Sequence, residues 1–487
     1  VINGPITHTP DDNILAGPQM GLRNFWNLCG SSIGIAQGGV GKFMAQWMVH
    51  GQTELNMASL DSRRFGAWAN KEYCITKGIE SYEIMYTEVG ANENSQHGRN
   101  RRSSPLYSML ADKGGVHGAV AGYEKILWFK NKEINHETLT WTRSNIHKIA
   151  AEECKAVQNA AGIMDISGAA KFEIKGKDAQ LFLDHLSCNK LPSKNGTLGL
   201  TLFHGNNGGI MTEQSITKID DNLFYLVGPI LSEYRDQHWM NLNSEEFVVE
   251  IINKTDSLSS ILLTGPKSRE ILQKLTTEDL SNDAFPWLSC KTVLLDSALI
   301  RVIRVSYAGE LGYELHMPNY QLLSIYESLF RVGEEFGLKD FGGYALNSMR
   351  MEKMYRSWGS EFTEEISGIE AGMERFIDSK RDFIGAENIR YREKNGTEIK
   401  LAYLIFDDDI SCDCFGNEAV YQEGKLVGLI TSGAFGHRAN KSLAFAYIKS
   451  SLAKKDNEFQ VLTSVGMRNA HIALEPIYDP KNQKLRS

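Results

Sequence analysis

Residues 301–315 of the chain read RVIRVSYAGELGYEL, and residues 345–353 read ALNSMRMEK. The β-branched run that begins the first stretch predicts a buried strand, its AGELG segment predicts a tight turn, and its last residues predict the returning strand. Tyr307 and Glu314 are therefore expected at the two ends of one turn. Together with Arg350 in the second stretch, they predict a pocket for a flat, polar, anionic ligand.

Arg350 is unusual because of the helix face on which it is expected. If residues 343–355 form a helix, Arg350 lies one turn from both Leu346 and Met354, on the apolar side. An unpaired guanidinium would be costly there. A buried anionic ligand would satisfy it, and so would a structural Arg–Glu ion pair with no ligand. The spacing leaves both interpretations open.

The composition limits the class of protein. The chain has 487 residues, of which 42% are apolar and 23% charged, as in globular proteins of about three domains. A net charge of −8 and the lack of any basic run longer than residues 99–102 argue against nucleic-acid binding, and no apolar stretch is long enough for a membrane helix. Seven scattered cysteines indicate a reducing compartment. Cys412 and Cys414 lack the second pair of ligands that zinc requires, so no metal is expected.

A glycine cluster, GIAQGGVG at residues 34–41, leads into an apolar helix predicted at 42–49. A strand followed by glycines and a helix N-terminus suits a site where backbone amides bind an anion or a cofactor. A P-loop is excluded because Phe43 follows Lys42 where Ser or Thr is required. The dinucleotide fingerprint of the Rossmann fold is absent as well.

A second glycine-rich loop, GNNGGIMTE at residues 205–213, is predicted between two strands. Its paired glycines allow the backbone to approach a ligand closely, and Glu213 projects from the start of the next strand. That carboxylate could orient a nucleophilic amine and take its proton. The alternative is a solvated hairpin glutamate, which the local sequence alone favours.

The order of predicted elements indicates an α+β protein. From about residue 140, the pattern predicts helices at 150–161 and 179–186 and strands at 171–174, 198–202 and 223–226. Residues 62–125 are polar and predict an irregular connecting module with one long surface loop. The chain from residue 400 onward is rich in strands and turn signals, which predicts a small β barrel or sandwich. We therefore expect two α+β blocks joined by a connector, with a β domain at the end.

Motifs along the whole chain resemble those of the dimethylglycine and sarcosine dehydrogenase family. In order, they are NGPITHTPDDNILAGP, GLRNFW, GGVGKFMAQWMVHG, DSRRFG, RSSPLY, MDISGAAKFEIKG, TTEDLSNDAFPWL, RVSYAGELGYEL, FGGYALNSMRMEK, EAGMERF, FIGAENI, TSGAFGHRANKSLAFAY and EPIYDP. This family joins a flavin-dependent amine oxidoreductase to a folate-binding aminomethyltransferase unit like the glycine-cleavage T-protein. The resemblance implies the end of a FAD-dependent oxidoreductase domain at 1–61, an oxidoreductase connector at 62–125, a folate-binding aminomethyltransferase domain at 126–385 and a C-terminal β barrel at 386–487.

The activity that the resemblance implies is a two-step demethylation. FAD removes hydride from the N-methyl group of a methylated glycine, and tetrahydrofolate in the second unit captures the one-carbon fragment as 5,10-methylenetetrahydrofolate. Oxygen or an electron-transfer flavoprotein would accept the electrons. By the same resemblance, Tyr307 and Glu314 hold the pterin, Arg350 lies in the same cavity, and Trp358 lines it or packs in the core. The acid–base group would be Glu213, which is one methylene longer than the Asp of the T-protein family.

One large part of the family pattern is missing. The ADP-binding glycines, the histidine that carries covalent flavin in some members and the amine-binding residues have no counterpart, and only Ser32, Gly34 and Ile35 resemble the flavin site. We therefore expect that this chain alone does not oxidise amines, either as a fragment of a longer product or as half of a natural split. Two other functions stay open. One is a non-catalytic regulatory protein like the regulatory subunit of pyruvate dehydrogenase phosphatase, and the other is a free-standing aminomethyltransferase. The retained polar pocket residues favour folate binding.

Overall fold

The computed structural model describes residues 7–30, 37–87, 90 and 93–487. The amino-terminal elements are β1 (Leu15–Pro18), β2 (Trp26–Cys29), α1 (Gln37–His50), α2 (Lys71–Ile84), α3 (Tyr107–Asp112), β3 (Gly115–Val120) and β4 (Tyr123–Phe129). β1 pairs with β2, and β3 with β4, both antiparallel. Val40, Met44 and Trp47 of α1 pack with Ala16 of the first hairpin. Helix α1 therefore confirms the helix that was predicted after the glycine cluster.

The prediction that residues 62–125 form an irregular module is wrong in part, because α2, α3 and β3 lie within it. Two local interactions account for the helix. The side chain of Asn70 accepts a hydrogen bond from the backbone N–H of Tyr73 at 3.0 Å, which caps the helix N-terminus. Lys77 and Glu80 form an ion pair one turn apart, in the middle of the helix.

The first α+β block is built around a five-stranded antiparallel sheet. Its elements are α4 (Ile146–Asn159), β5 (Ala161–Asp165), β6 (Ala170–Lys175), α5 (Ala179–Leu186), β7 (Thr197–His204), β8 (Ile210–Asp220), β9 (Leu223–Gly228), α6 (Glu233–Leu242) and β10 (Glu250–Asn253). The strand order is β10-β6-β9-β8-β7. Phe182, Leu183 and Leu186 form the buried face of α5 and pack with Phe203 and Phe224 of the sheet. The predicted helices and strands of this block are confirmed.

The second block is built around a six-stranded sheet that also takes in β5. Its elements are β11 (Leu258–Thr264), α7 (Ser268–Gln273), β12 (Cys290–Leu295), β13 (Ala298–Ile303), β14 (Gly312–Pro318), α8 (Leu322–Gly333), β15 (Leu338–Asp340), α9 (Gly343–Glu352) and α10 (Ala386–Asn395). The order is β12-β13-β14-β11-β5-β15, antiparallel except where β15 runs parallel to β5. Because β13 ends at Ile303, residues 304–311 form a longer connection than the predicted tight turn.

The carboxy-terminal part is a closed barrel, as one of the two sequence interpretations proposed. Its strands are β16 (Ile399–Phe406), β17 (Ala419–Gln422), β18 (Lys425–Gly436), β19 (Lys441–Lys449), β20 (Glu458–Thr463) and β21 (Gly466–Ala473). They are ordered β16-β19-β18-β17-β20-β21, and β21 pairs with β16 to close the barrel. Helix α9 lies against β18, where the Ser348 hydroxyl donates to the carbonyl of Phe435 at 2.6 Å. The α+β fold with a terminal barrel is confirmed.

Short 3₁₀ helices lie at Ser62–Arg64, Ile230–Ser232, Asn319–Gln321, Glu334–Phe336, Glu374–Phe376 and Ser450–Leu452. Across the described ranges, every helix is too short or too polar to serve as a membrane span.

Candidate active site

Glu213 is the fourth residue of β8, after the glycine loop of the β7–β8 hairpin. A Cβ atom on Gly209 would overlap the carbonyl oxygen of Glu364, so this close approach requires glycine. The next residue anchors the loop, because the N–H of Ile210 donates to the carbonyl of Ile366 at 2.8 Å. Side chains alternate along a strand, so Glu213 points away from the sheet face that its two neighbours occupy.

Those neighbours, Thr212 and Gln214, both donate to a buried carboxylate. The Thr212 hydroxyl and the Gln214 amide each lie 2.8 Å from Oδ2 of Asp236. Burial raises the pKa of Asp236 to about 7. Thr212, Gln214 and Asp236 thus hydrogen-bond to one another inside the protein, and this face of β8 is turned toward the interior.

The Glu213 carboxyl is in a different situation. It is partly buried, and burial raises its pKa to about 7, while the positive charge of Arg356 acts in the opposite direction. Within the described part of the chain, no side-chain or backbone group donates a hydrogen bond to this carboxylate. A carboxyl with a pKa near neutrality and no protein partner is suited to general acid–base chemistry.

Tyr307 lies in the 304–311 connection and is held from two sides. Its hydroxyl donates to the carbonyl of Arg356 at 2.6 Å, and its ring stacks on Tyr355 at a centroid distance of 5.6 Å. Burial raises the pKa of Tyr307, and the charge of Arg350 acts against that rise while the charge of Glu213 adds to it. The structure therefore places Tyr307 in the same electrostatic environment as Glu213 and Arg350.

Arg350 finds its anion inside the protein. The side chain is buried at 4% exposure, and its guanidinium pairs with the carboxylate of Glu361 at 3.3 Å. It also donates to the carbonyl of Tyr355 at 3.1 Å, to Asn347 at 2.9 Å and to the hydroxyl of Ser432 at 3.0 Å. The expectation of a buried anion is met by the structural Arg–Glu pair, so Arg350 does not by itself require a ligand.

Trp358 packs directly over the strand that carries Glu213. Its indole N–H donates to the carbonyl of Met211 at 3.0 Å, and the guanidinium of Arg235 lies 5.4 Å from its ring. The ring is therefore a packing element on the strand that carries Glu213, and its lining of a ligand cavity stays a prediction.

Glu314 belongs to a separate polar cluster. Along β14, Tyr313 and Leu315 enter the hydrophobic core, whereas Glu314 and His316 face the five-stranded sheet. The carboxylate of Glu314 lies 3.2 Å from Nε2 of His316, and Nδ1 of that ring lies 3.0 Å from the Tyr225 hydroxyl. Burial lowers the pKa of His316. The structure thus groups Glu213, Tyr307, Arg350 and Trp358 through shared neighbours, and it places Glu314 with a different set.

Two residues that the sequence interpretation did not select are important here. Arg356 is bonded to backbone carbonyls, at 3.2 Å from Ala371 and 2.9 Å from Met354, and burial lowers its pKa. Lys171 is fully buried near Glu314, and its ammonium donates to the carbonyls of Ser167 and Ala169, both at 2.8 Å. Burial lowers the pKa of Lys171 to about 8. The sequence gives only a weak signal for either residue. Arg356 is a charged residue two positions before Trp358, and Lys171 is a charged residue inside the predicted strand 171–174.

A cavity of about 390 Å³ lies between α4, α9 and the barrel. Arg350 lines it, together with Arg143, His147, Ser357, Asp413, Ser432 and His437. Glu213, Tyr307, Glu314 and Trp358 are not among its lining residues. Arg143 is already paired with Asp413 at 2.7 Å.

The flavin contacts expected at Ser32, Gly34 and Ile35 lie outside the described residues. Within the described ranges, no three His, Cys, Asp or Glu side chains are arranged to hold a metal ion.

Comparisons with known proteins identify the architecture. Residues 106–381 match the GCVT N-terminal domain, residues 400–479 match the glycine cleavage T-protein C-terminal barrel domain, and residues 50–104 match the FAD dependent oxidoreductase central domain. The crystal structure of aminomethyltransferase T of the glycine cleavage system from Bartonella henselae shares the fold with a TM-score of 0.68 at 19% identity, covering 78% of this chain and 98% of that one. The fold is therefore that of a T-protein aminomethyltransferase.

Proteins of similar sequence identify the family to which the chain belongs. Mitochondrial dimethylglycine dehydrogenase of Mus musculus is 36% identical over 95% of this chain and 54% of that protein. The aminomethyltransferase of Thermoanaerobacter sp. (strain X514) is 34% identical over 64% of this chain and 84% of that protein. The chain belongs to the glycine cleavage T-protein family, in the group that resembles dimethylglycine and sarcosine dehydrogenases. It spans about half the length of the dehydrogenases that it matches.

Proposed function

We propose that this chain binds tetrahydrofolate and captures a one-carbon unit as 5,10-methylenetetrahydrofolate. The unit would come from FAD-dependent N-demethylation of a methylated glycine, as in a dimethylglycine or sarcosine dehydrogenase. The observation that supports the proposal best is Glu213, an acid without a protein partner whose pKa is raised to about 7, inside the region that matches the T-protein family.

The residues present suit a pterin. A pterin is flat and carries several N–H donors, so it needs carboxylate acceptors and an apolar or aromatic wall. Glu213 supplies an acceptor near the stacked rings of Tyr307 and Tyr355, which form an aromatic wall, and Glu314 would supply a second acceptor from its separate cluster on β14. Glu314 already lies beside His316, which would orient its carboxylate toward a ligand donor.

The proton transfer assigned to Glu213 follows from its pKa. As the first folate nitrogen adds to the iminium carbon, the C=N π bond breaks, and as the second folate nitrogen bonds to the same carbon, the demethylated amine leaves. Of the two protons lost by the folate nitrogens, one departs with that amine and the other must be taken up by a base. A neighbouring carboxylate with a pKa of about 7 accepts that proton readily and returns it to solvent near neutral pH. The additional methylene of Glu213, relative to aspartate, moves the carboxylate further from the strand.

The wider setting is also part of the proposal. The electron acceptor for the oxidation would be oxygen or an electron-transfer flavoprotein, and the compartment would be a bacterial cytoplasm or the mitochondrial matrix. Flavin would supply the hydride chemistry, but its contact residues lie outside the described part of the chain. We therefore propose no role for the described residues in the flavin-dependent oxidation.

Calorimetric titration of tetrahydrofolate into the full chain tests the proposal. We expect saturable binding by the unmodified chain and at least about tenfold weaker binding by Glu314→Ala, because a charged hydrogen-bond acceptor is lost. Glu327→Ala, an exposed site on α8 in the same block, is the matched control and should bind normally. If none of the three proteins binds tetrahydrofolate, the folate proposal is wrong. Equal binding by all three would place the ligand away from Glu314.

A further inference from the structure

The cavity of about 390 Å³ between α4, α9 and the barrel contains two histidines in ring contact. His147 is the second residue of α4, His437 follows β18, and the centroids of their rings lie 4.6 Å apart. Within the described ranges, neither imidazole takes part in a hydrogen bond. Burial lowers the pKa of both rings, that of His437 to about 3, so each ring is neutral near pH 7 and offers one N–H donor. Polar groups in a cavity that lack a partner in the protein are expected to bind a ligand or water.

Arg143 brings further donors to the same cavity. Its Nε and Nη2 atoms donate to the carboxylate of Asp413 at 2.7 and 3.0 Å, and Nη2 also donates to the hydroxyl of Ser442 at 2.6 Å. The guanidinium lies 4.1 Å from the ring centroid of Phe435, on which both histidines also pack. Its Nη1 atom makes no hydrogen bond to a described residue, so two N–H donors of a fixed guanidinium are left for a ligand.

A carboxylate lines the cavity as well. The two oxygens of Glu137 accept hydrogen bonds from the hydroxyls of Tyr344 and Ser144, at 3.2 and 3.3 Å. Burial raises the pKa of Glu137, and these two hydrogen bonds act against that rise. Ser144 follows Arg143 in the chain, so their Cα atoms are about 3.8 Å apart and the acid and the guanidinium border the same part of the cavity.

The charges around the cavity favour a ligand that carries both signs. Asp413 neutralises Arg143, and Glu361 neutralises Arg350. Within the described part of the chain, this leaves Glu137 as a lining carboxylate without a cation. A simple carboxylate ligand would face a like charge at Glu137, and a simple amine would leave the donors of the arginine and the imidazoles without an acceptor.

We propose that this cavity binds a small zwitterionic amino acid. The ligand carboxylate accepts hydrogen bonds from Nη1 of Arg143 and from the imidazoles of His147 and His437, and the ligand ammonium pairs with Glu137. Guanidinium and carboxylate are matched partners, and neutral imidazole donors add to them without adding charge. Phe415 lines the cavity and offers an apolar wall to an N-methyl group.

The natural ligand that we assign to the cavity rests on the proposed function. In that reaction, a glycine that has lost a methyl group is released when folate takes the carbon, and this product is a small zwitterion. Arg350 lines the cavity, and its charge acts on Tyr307, so the cavity adjoins the candidate active site. The cavity would therefore hold the demethylated product next to the place where it is released.

Equilibrium dialysis of radiolabelled sarcosine against the full chain tests the proposal. The measurement is made at pH 7 with no tetrahydrofolate and no flavin. We expect saturable binding of one sarcosine per chain, and competition by unlabelled dimethylglycine, which carries the same two charges. Acetate and methylamine each carry one of the charges and should compete at least about tenfold less well, because each loses one charged hydrogen bond.

Two variants assign the binding to the cavity. Glu137→Gln keeps the acceptor for Tyr344 and Ser144 but removes the charge, and Arg143→Lys keeps a cation for Asp413 but removes the Nη1 donors. Each should weaken sarcosine binding at least about tenfold. Glu137→Gln should at the same time strengthen the binding of acetate, because the like charge that opposes a simple carboxylate is gone.

The matched controls are Glu133→Gln, an exposed residue of the same segment, and Arg390→Lys, a half-exposed arginine on α10 that pairs with Asp382. Both should bind sarcosine normally. The thermal unfolding midpoint of each variant shows whether it is folded, and Glu137→Gln, which keeps the shape of the side chain, tests the proposal even if Arg143→Lys is unstable.

Three results would overturn the proposal. They are no saturable binding of sarcosine, sarcosine binding that a folded Glu137→Gln leaves unchanged, and competition by acetate or methylamine as strong as that by dimethylglycine. Because tetrahydrofolate is absent from the dialysis, failure of folate binding leaves this measurement intact. Sarcosine binding without folate binding would keep the amino-acid site and remove only the assignment of its natural ligand.

Discussion

Replacing Glu213 by glutamine should stabilise the protein above neutral pH. The substitution keeps the shape of the side chain and removes its ionisation. The pKa of Glu213 is raised in the folded chain from the ordinary value of 4.5 to about 7, chiefly by burial. The folded state therefore holds a proton that the unfolded chain has already released between these two pH values.

The sign and size of the effect follow from this difference. Stability is unaffected by Glu213 below about pH 4.5, falls as the pH rises from there to about 7, and stays at its lowest value above that. Each pKa unit corresponds to about 1.4 kcal/mol, so the full penalty for ionised Glu213 is about 3 kcal/mol. Glu213→Gln has no such penalty, and we expect it to be more stable than the unmodified chain by about 3 kcal/mol at pH 8 and by less than about 1 kcal/mol at pH 5.

Urea unfolding of both proteins at pH 5 and pH 8 measures this difference directly. Glu246→Gln serves as the control, because Glu246 is exposed in the same block and should show no pH-dependent gain. If Glu213→Gln gains no stability between pH 5 and pH 8 relative to the unmodified chain, then Glu213 titrates normally. The acid–base role assigned to it would lose its physical basis.

Three further substitutions test the contacts around the site. Glu361→Leu leaves the guanidinium of Arg350 without its anion and should lower the free energy of unfolding by about 3 to 5 kcal/mol, seen as a lower thermal midpoint. An unchanged midpoint would mean that solvent reaches the pair. Tyr307→Phe removes the bond to the Arg356 carbonyl and should cost about 1 to 3 kcal/mol in urea unfolding. Trp358→Phe removes the donor to the Met211 carbonyl and should cost a similar amount, and a loss below about 0.5 kcal/mol would contradict that bond.

The sequence was most informative where periodicity was strong and local. The helical spacing in 179–186 predicted α5 at its observed bounds, and the strand-rich end of the chain was expected to form a barrel or sandwich. It was least informative about partners that are distant along the chain. Ser432, which binds Arg350, lies 82 residues further on in the barrel, so no spacing rule could connect the two.

Local pattern also failed on helix α2. Ile75, Ile79 and Tyr82 follow a helical period, yet polar neighbours made the segment resemble an irregular connector. Glu80 is buried because its carboxylate accepts hydrogen bonds from the backbone N–H groups of residues 96 and 97. Whether a helix presents its apolar or its polar face inward depends on tertiary contacts that composition does not reveal.

The most direct test of the account is a crystal structure of the full chain with tetrahydrofolate. We predict electron density for the pterin against Tyr307, with the Glu213 carboxylate beside a folate nitrogen and Glu314 accepting from the ring. Density for the pterin only in the cavity lined by Arg143, His147 and His437 would contradict the assignment of the site. Crystals grown at saturating tetrahydrofolate with no bound folate would contradict the proposed function itself.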